Sequence, residues 1–431
     1  LSFFANHKAG MQFAFTPSSK KLFAIAAFAA IIGYSLLALR EFSASILGDR
    51  PNLASLTRAT WLAPSNAAYH YRLGRFQFLV SQDPLAALAS FREAVRWNPH
   101  NAQYWLAFAQ AQQWLGDLDQ QQYALERAIA ADPTTPDVAW QAGNLYLIRG
   151  QTDRALHEFS IVMANDETLA PAALQLAWRV APDVDSLLED VIPHTQPAYL
   201  AFLGTLLGQK QTDGAAKVWS RIAALQQPLD LSHVFDYIRY LIAQHEIDQA
   251  QIVWRQTARL NALAAYLPSS QNLLVNGDFS QPVLNGGFDW LYQKKRDIAL
   301  AIDPAQPHNG HNSLLIDFDG QGADESGLRQ LVVVGPNSNY DFSASFKVQD
   351  MEGAGGPLFR IEDFYSGQVL FSSELLTDSE SWKPTGASFQ TGPDTRLVLL
   401  HVVRVPSSSP LRGKLWIADL RLTVHPEGGR P

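Results

Sequence analysis

Residues 84–99 read PLAALASFREAVRWNP and residues 118–133 read LDQQQYALERAIAADP, two stretches that superpose at an offset of 34 positions. Ala87, Gln121 and Ala155 keep that interval, as do Phe91, Leu125 and Phe159, while Pro99 and Pro133, and Gly116 and Gly150, repeat it once. The physical logic is that of paired helices. A small residue lets two helices approach, a large apolar one fills the space beside it, and a proline ends the second helix. One such pair cannot bury its apolar face alone, so about three stacked pairs are the minimum for a continuous core. The spacing predicts three helical pairs over residues 61–168.

A two-helix unit of this period resembles the tetratricopeptide repeat (TPR). In the first unit Ala87-x3-Phe91-x2-Ala94-x4-Pro99 matches that family's second helix and closing proline. The second keeps Trp105, Ala128 and Pro133, with Leu125 at the aromatic position; the third offers Gly143, Tyr146, Ala155 and Phe159, with Glu167 in place of proline. The resemblance implies an inner groove lined by first-helix positions. Here those are Gln103, Leu106, Gln110 and Gln113 in the second unit, and Asp137, Trp140, Asn144 and Leu147 in the third. Amides and apolar side chains suit an extended peptide, whose backbone needs partners and whose side chains need pockets; an ordinary solvated face is the other reading. For a cationic clamp on a peptide carboxylate, Arg72 is the one first-helix candidate. Past residue 168 the pattern thins. Ala215-x3-Trp219 and Ala250-x3-Trp254 preserve the small–aromatic pair while Pro171, Pro182, Pro193 and Pro197 interrupt, so residues 169–267 are expected to form degenerate TPR-like hairpins.

Upstream, Leu22 to Leu39 is uncharged and sits between Lys20-Lys21 and Arg40-Glu41. As a helix it rises about 27 Å, close to the roughly 30 Å of a hydrocarbon core. Lys8, Lys20 and Lys21 precede it, so the positive-inside rule leaves residues 1–21 as a cytoplasmic tail and exports everything after the transmembrane helix at 22–40. A cleaved signal peptide is the competing reading, with Ser43-Ala44-Ser45 as a fair cleavage site. Residues 41–60 read as a linker, and Met11 as an alternative start.

The 431 residues carry a net charge of −8 and no cysteine. An acidic chain lacks the basic face that phosphate neutralisation needs, which excludes a nucleic-acid partner. Without cysteine there are no disulfides, thiolate metal sites or thiol nucleophile.

After Pro268–Gln271, read as a linker, the glycines become dense and short β-type runs appear at 314–318, 327–334, 340–348, 358–364, 397–404 and 414–424. Many short strands without helices between them imply a sandwich or jelly roll. Five landmarks over residues 272–424 resemble the jelly-roll carbohydrate-binding modules of galactose-binding-like type. They are Asn272–Phe279 as the opening strand, Gly287–Trp290 with a core tryptophan, the turn His308–Leu314, the strand Tyr340–Lys347, and Leu415–Leu422 as the closing strand. The resemblance implies sugar binding on exposed aromatics, for which Tyr365, Trp382 and Tyr292 are the candidates. It also implies a structural calcium, reduced here to Asp419 because Ala418-Asp419 stands where relatives carry an aspartate pair. No other cofactor is expected.

No motif of a reaction centre emerges. His308-x-x-His311 has no third ligand at useful spacing, and the adjacent Glu362 and Asp363 face opposite ways on a strand. The expected fold class is therefore multidomain α plus β: a transmembrane helix, a TPR-type α-solenoid and a β-sandwich jelly roll at 272–431. The expected function is that of a non-enzymatic scaffold in a bacterial inner membrane, single-pass, with its bulk periplasmic or extracellular. It would bind a protein partner through the solenoid and a polysaccharide through residues 272–424, in envelope or exopolysaccharide assembly. The alternatives are an accessory structural subunit whose jelly roll binds no sugar, and a carbohydrate-active enzyme.

Overall fold

The computed structural model describes residues 17–293, 295, 297–322, 325–377, 379–407 and 409–425; the expected tail lies mostly outside them. Contacts divide the chain into two compact units, Leu1–Ala201 and Phe202–Pro431.

The first unit opens with α1 (Pro17–Gly48), which among the described residues is the one helix long and apolar enough to cross a membrane. It does not stop at residue 40. Its last turns bury Ala44 and Gly48 and pack on α2 (Leu53–Leu62), so the expected linker at 41–60 is helical for most of its length. Gly48 looks like a helix breaker in sequence. In place it is a close approach, since a Cβ there would lie 2.5 Å from the Tyr69 ring.

Three helical pairs follow, α3 (Ala67–Leu79) with α4 (Pro84–Trp97), α5 (Ala102–Leu115) with α6 (Leu118–Ala131), and α7 (Pro136–Ile148) with α8 (Thr152–Asn165). Their ends follow from local chemistry. Asp83, Asn101 and Asp117 accept backbone N–H groups at the starts of α4, α5 and α6, each cap contributing about 1 kcal/mol. Gly116 supplies the left-handed residue after α5 at φ 78°. The 34-residue logic also holds in the packing. Phe91, Leu125 and Phe159 are buried, and the rings of Phe91 and Phe159 press on Gly74 and Gly143, where a Cβ would come within 2.7 and 2.8 Å. The unit ends with α9 (Ala170–Val180), the short α10 (Val184–Ser186) running into one π turn, and the start of α11 (Gln196–Gly208).

The second unit contains α12 (Thr212–Ala224), α13 (Leu231–Ala243), α14 (Ile247–Leu260) and the β-sandwich. The small–aromatic pairs again sit in the core. Ala215 and Ala250 are fully buried, Trp219 donates to Gln256 Oε1 at 2.7 Å, and Trp254 donates to the Tyr266 carbonyl at 2.9 Å.

The strands are β1 (Leu291–Tyr292), β2 (Ile298–His308), β3 (His311–Gly322), β4 (Glu325–Val333), β5 (Asn339–Gly353), β6 (Gly356–Asp363), β7 (Val369–Ser372), β8 (Lys383–Gln390), β9 (Leu397–Val405) and β10 (Pro410–Val424). They form two antiparallel five-stranded sheets, β1-β4-β9-β6-β7 and β2-β3-β10-β5-β8. Inward-facing Phe342, Phe359, Ile361, Val398, Leu415 and their neighbours fill the space between them. The opening stretch Asn272–Phe279 is a strap rather than the strand expected. Asn272 brackets Leu422 and Leu420, and Leu420 donates to the Gly277 carbonyl at 2.9 Å. Trp290 is a core residue as expected, its indole donating to the Asn276 carbonyl at 3.0 Å.

The expected linker at 268–271 is a tight turn in which Ser269 and Asn272 exchange backbone hydrogen bonds. The α13–α14 hairpin packs directly on the sandwich. Gly286 and Gly287 lie under the rings of Phe235 and Trp254, and Arg396 pairs with Asp248 at 2.8 Å. The division between the two units lies within α11, so the sandwich shares a unit with α12, α13 and α14.

Candidate functional site

The first helices of the second and third units form a polar ladder. Gln103 and Gln141 both donate to Asp137 Oδ2, at 2.6 and 3.0 Å, and Gln141 also donates to Gln103 Oε1. Gln103 and Asp137 occupy equivalent positions in consecutive repeats, so α5 and α7 are tied through side chains one period apart. Beside them is a recess of about 430 Å³ in which Gln110 and Gln113 of α5 face Trp140 and Asn144 of α7. Asn144 donates to the Trp140 carbonyl, which fixes its amide along the wall. A second, wider recess of about 800 Å³ contains Gln103, Asp137, Tyr71, Arg75 and Tyr104.

Six of the eight groove candidates thus line these two recesses. The other two are corrected. Leu106 is fully buried in the repeat core, and Leu147 packs half-buried against that core. Arg72 is not free to clamp a carboxylate, because its guanidinium donates to the Gly48 carbonyl and pairs with Asp49.

A feature that the reading of the sequence missed runs along the rim. Val80, Trp114 and Ile148 are 34 residues apart and project at the ends of α3, α5 and α7, with 64%, 74% and 67% of their surface exposed. Trp114 and Ile148 line the smaller recess and Val80 the larger. The 34-residue interval that reveals the core also picks out this row.

Elsewhere in the repeats, Glu158 is buried on α8, and burial pushes its carboxyl up to about 7.

On the sandwich the three aromatic candidates fare differently. Tyr365 is withdrawn as a sugar platform, because it stacks on His245 with ring centres 4.0 Å apart and its hydroxyl donates to the Ile242 carbonyl. Trp382 is half-buried against His308, at 4.7 Å. Tyr292 is 40% exposed and opens onto a cleft of about 460 Å³ bordered by Lys295, Asp297, Leu300, Asp317 and Asp319. An aromatic face beside carboxylates and an ammonium offers the stacking and hydrogen bonding that a sugar ring uses.

Asp419 meets His308 Nδ1 at 2.7 Å and accepts from the Asn309 amide at 2.6 Å. Calcium takes about six to eight oxygen ligands. Nitrogen donors occupy Oδ2 of this carboxylate, which leaves its other oxygen for a cation. His311 faces Asp278 at 3.5 Å, and among the described residues no group of three His, Asp or Glu is arranged to hold a metal.

No family model matches the chain, and no curated protein does. Solved structures align with parts of it. A CBM4 module is similar at 13% identity over 35% of this chain and 98% of its own, with a TM-score of 0.28. MamA is similar at 18% identity over 39% of this chain and 84% of its own, with a TM-score of 0.24. YrrB, a TPR protein with an unusual peptide-binding site, is similar at 18% identity over 40% of this chain and 76% of its own, also at 0.24. By its own helix pairs and sheets, the chain joins TPR-type repeats to a jelly-roll sandwich behind an apolar helix.

Proposed function

We propose that the chain is a membrane-anchored, exported scaffold whose repeats hold an extended segment of a partner protein. The observation that carries this reading is the exposed row Val80, Trp114 and Ile148, of which Trp114 and Ile148 border a recess walled by Gln110, Gln113 and Asn144. Apolar side chains exposed at one repeat position have no role in the repeat core, whereas amides next to them can bond a peptide backbone. Packed helices stand about 8–10 Å apart, and an extended chain in the polyproline II conformation advances about 3.1 Å per residue and returns the same face every third residue. The matching ligand therefore carries apolar side chains at every third position. In this reading the jelly roll meets a polysaccharide at the Tyr292 cleft, and the setting is bacterial envelope or exopolysaccharide assembly. The contacts of Tyr365 with the α13–α14 hairpin favour a second role for the sandwich, as a brace for the last helices.

Panning a random-peptide phage library on the detergent-solubilised chain tests the first claim. The reading expects enriched peptides with apolar residues at that interval, lost on the Trp114→Ser chain. Enrichment of nothing, or of peptides indifferent to that substitution, contradicts it.

A further inference from the structure

We infer that the last turn of α2 rests on the bilayer surface beside the anchor, with Trp61 in the interfacial layer and Arg58 at the lipid phosphates. The inference rests on the reading of α1 as a membrane helix.

α1 continues as helix from the end of its apolar stretch at Leu39 to Gly48. Those nine residues rise about 13 Å. Four residues, 49–52, then connect it to α2, which packs back on α1 with Leu56 and Ala59 buried. Two helices joined by so short a loop run antiparallel. The ten residues of α2, about 15 Å long, therefore return toward the membrane end of α1, and the last turn comes nearest the lipid.

That turn carries Trp61, which is 80% exposed, more than any other large apolar side chain among the described residues. Leu53, Thr57, Arg58 and Trp61 form one exposed stripe at i, i+4, i+5 and i+8, opposite the buried Ser55, Leu56 and Ala59. Neither Arg58 nor the exposed Arg50 before the helix is held in an ion pair among the described residues. An exposed tryptophan with arginines around it, tethered within about 13 Å of a hydrocarbon core, has the chemistry of the interfacial belt. Continuity with α1 makes the bilayer the occupant of this face. A protein partner on the same stripe is the outcome that would replace it.

The chain contains no cysteine, so single labels report cleanly. The experiment places Trp61→Cys, Ile31→Cys and Ile148→Cys separately in the full chain, attaches an environment-sensitive fluorophore, and reconstitutes each into nanodiscs containing phosphatidylglycerol. Nitroxide-labelled lipids then report depth. The expected result is deep quenching at position 31 and shallow headgroup quenching at 61, about twofold or more above that at the exposed site 148. Replacing phosphatidylglycerol with a zwitterionic lipid should weaken the quenching at 61. Quenching at 31 with none at 61 overturns the docking of α2 and leaves the anchor standing. No quenching at 31 removes the anchor and the inference with it.

Discussion

Tyr365 lies flat on His245, ring centres 4.0 Å apart, and its hydroxyl donates to the carbonyl of Ile242 at 2.7 Å. A residue of the β6–β7 turn is thereby bound to the end of α13 and to the loop that follows it. The aromatic that looked available for sugar is used to hold the last helical hairpin against the sandwich.

Tyr365→Phe should lower stability by about 1 kcal/mol, the usual worth of one hydrogen bond, and Tyr365→Ala by more, with the ring stacking also lost. Neither should alter glycan binding. Urea unfolding and a glycan array on the same preparations check this; loss of binding at unchanged stability would restore Tyr365 as a platform.

Tyr292→Ala, in contrast, should abolish any glycan signal of the chain while leaving its unfolding midpoint nearly unchanged, because the ring is 40% exposed and faces the cleft. Trp382→Ala should cost stability through lost packing on His308. A glycan signal that survives Tyr292→Ala would remove the cleft from the account.

Glu158 gives a pH signature. Its carboxyl is pushed up to about 7 by burial, above the value of an exposed glutamate near 4.5. The folded state thus holds a proton that the unfolded state releases. The contribution is fully present below about pH 4.5 and is lost as pH rises through about 7. Glu158→Gln should flatten stability over that window and make the chain more stable than the wild type above it, by at most about 3 kcal/mol. Urea midpoints at several pH values for both chains test it; parallel curves would contradict it.

Gly143→Ala should destabilise the third repeat by about 1–3 kcal/mol through overpacking, since the new methyl would sit 2.8 Å from the Phe159 ring. The double variant with Phe159→Leu should recover part of that loss. Circular dichroism melts of the three chains decide it, and a neutral Gly143→Ala would contradict the close approach of α7 and α8.

Much of this architecture is written at fixed intervals. The positions of Phe91, Leu125 and Phe159 disclose the repeats because stacked helix pairs need a large apolar side chain at the same place in every unit. Strands β5, β9 and β10 are legible because both sheet faces impose alternation or an unbroken apolar run. Strands β2 and β8 are not, and both are sheet edges. Pro304, Pro307 and Pro384 sit in them, and an edge tolerates proline that a central strand would reject. The continuity of α1 is hidden by Gly48 and Pro51, and the meaning of Gly48 depends on Tyr69 being near. Among site residues, the amides of the groove follow from helix register. The use of Tyr365 does not, because it is fixed by a hairpin more than a hundred residues away. The row Val80, Trp114 and Ile148 keeps the same interval as the core, but exposure cannot be read from spacing.

The most direct test of the scaffold reading is a calorimetric titration of an enriched phage-selected peptide into the wild-type chain and into Trp114→Ser and Gln113→Ala. Trp114→Ser should cost about 2 kcal/mol or more of binding, as a central aromatic contact does, with Gln113→Ala costing less and neither changing the unfolding midpoint. Equal affinity for all three chains would place the peptide elsewhere and contradict the groove.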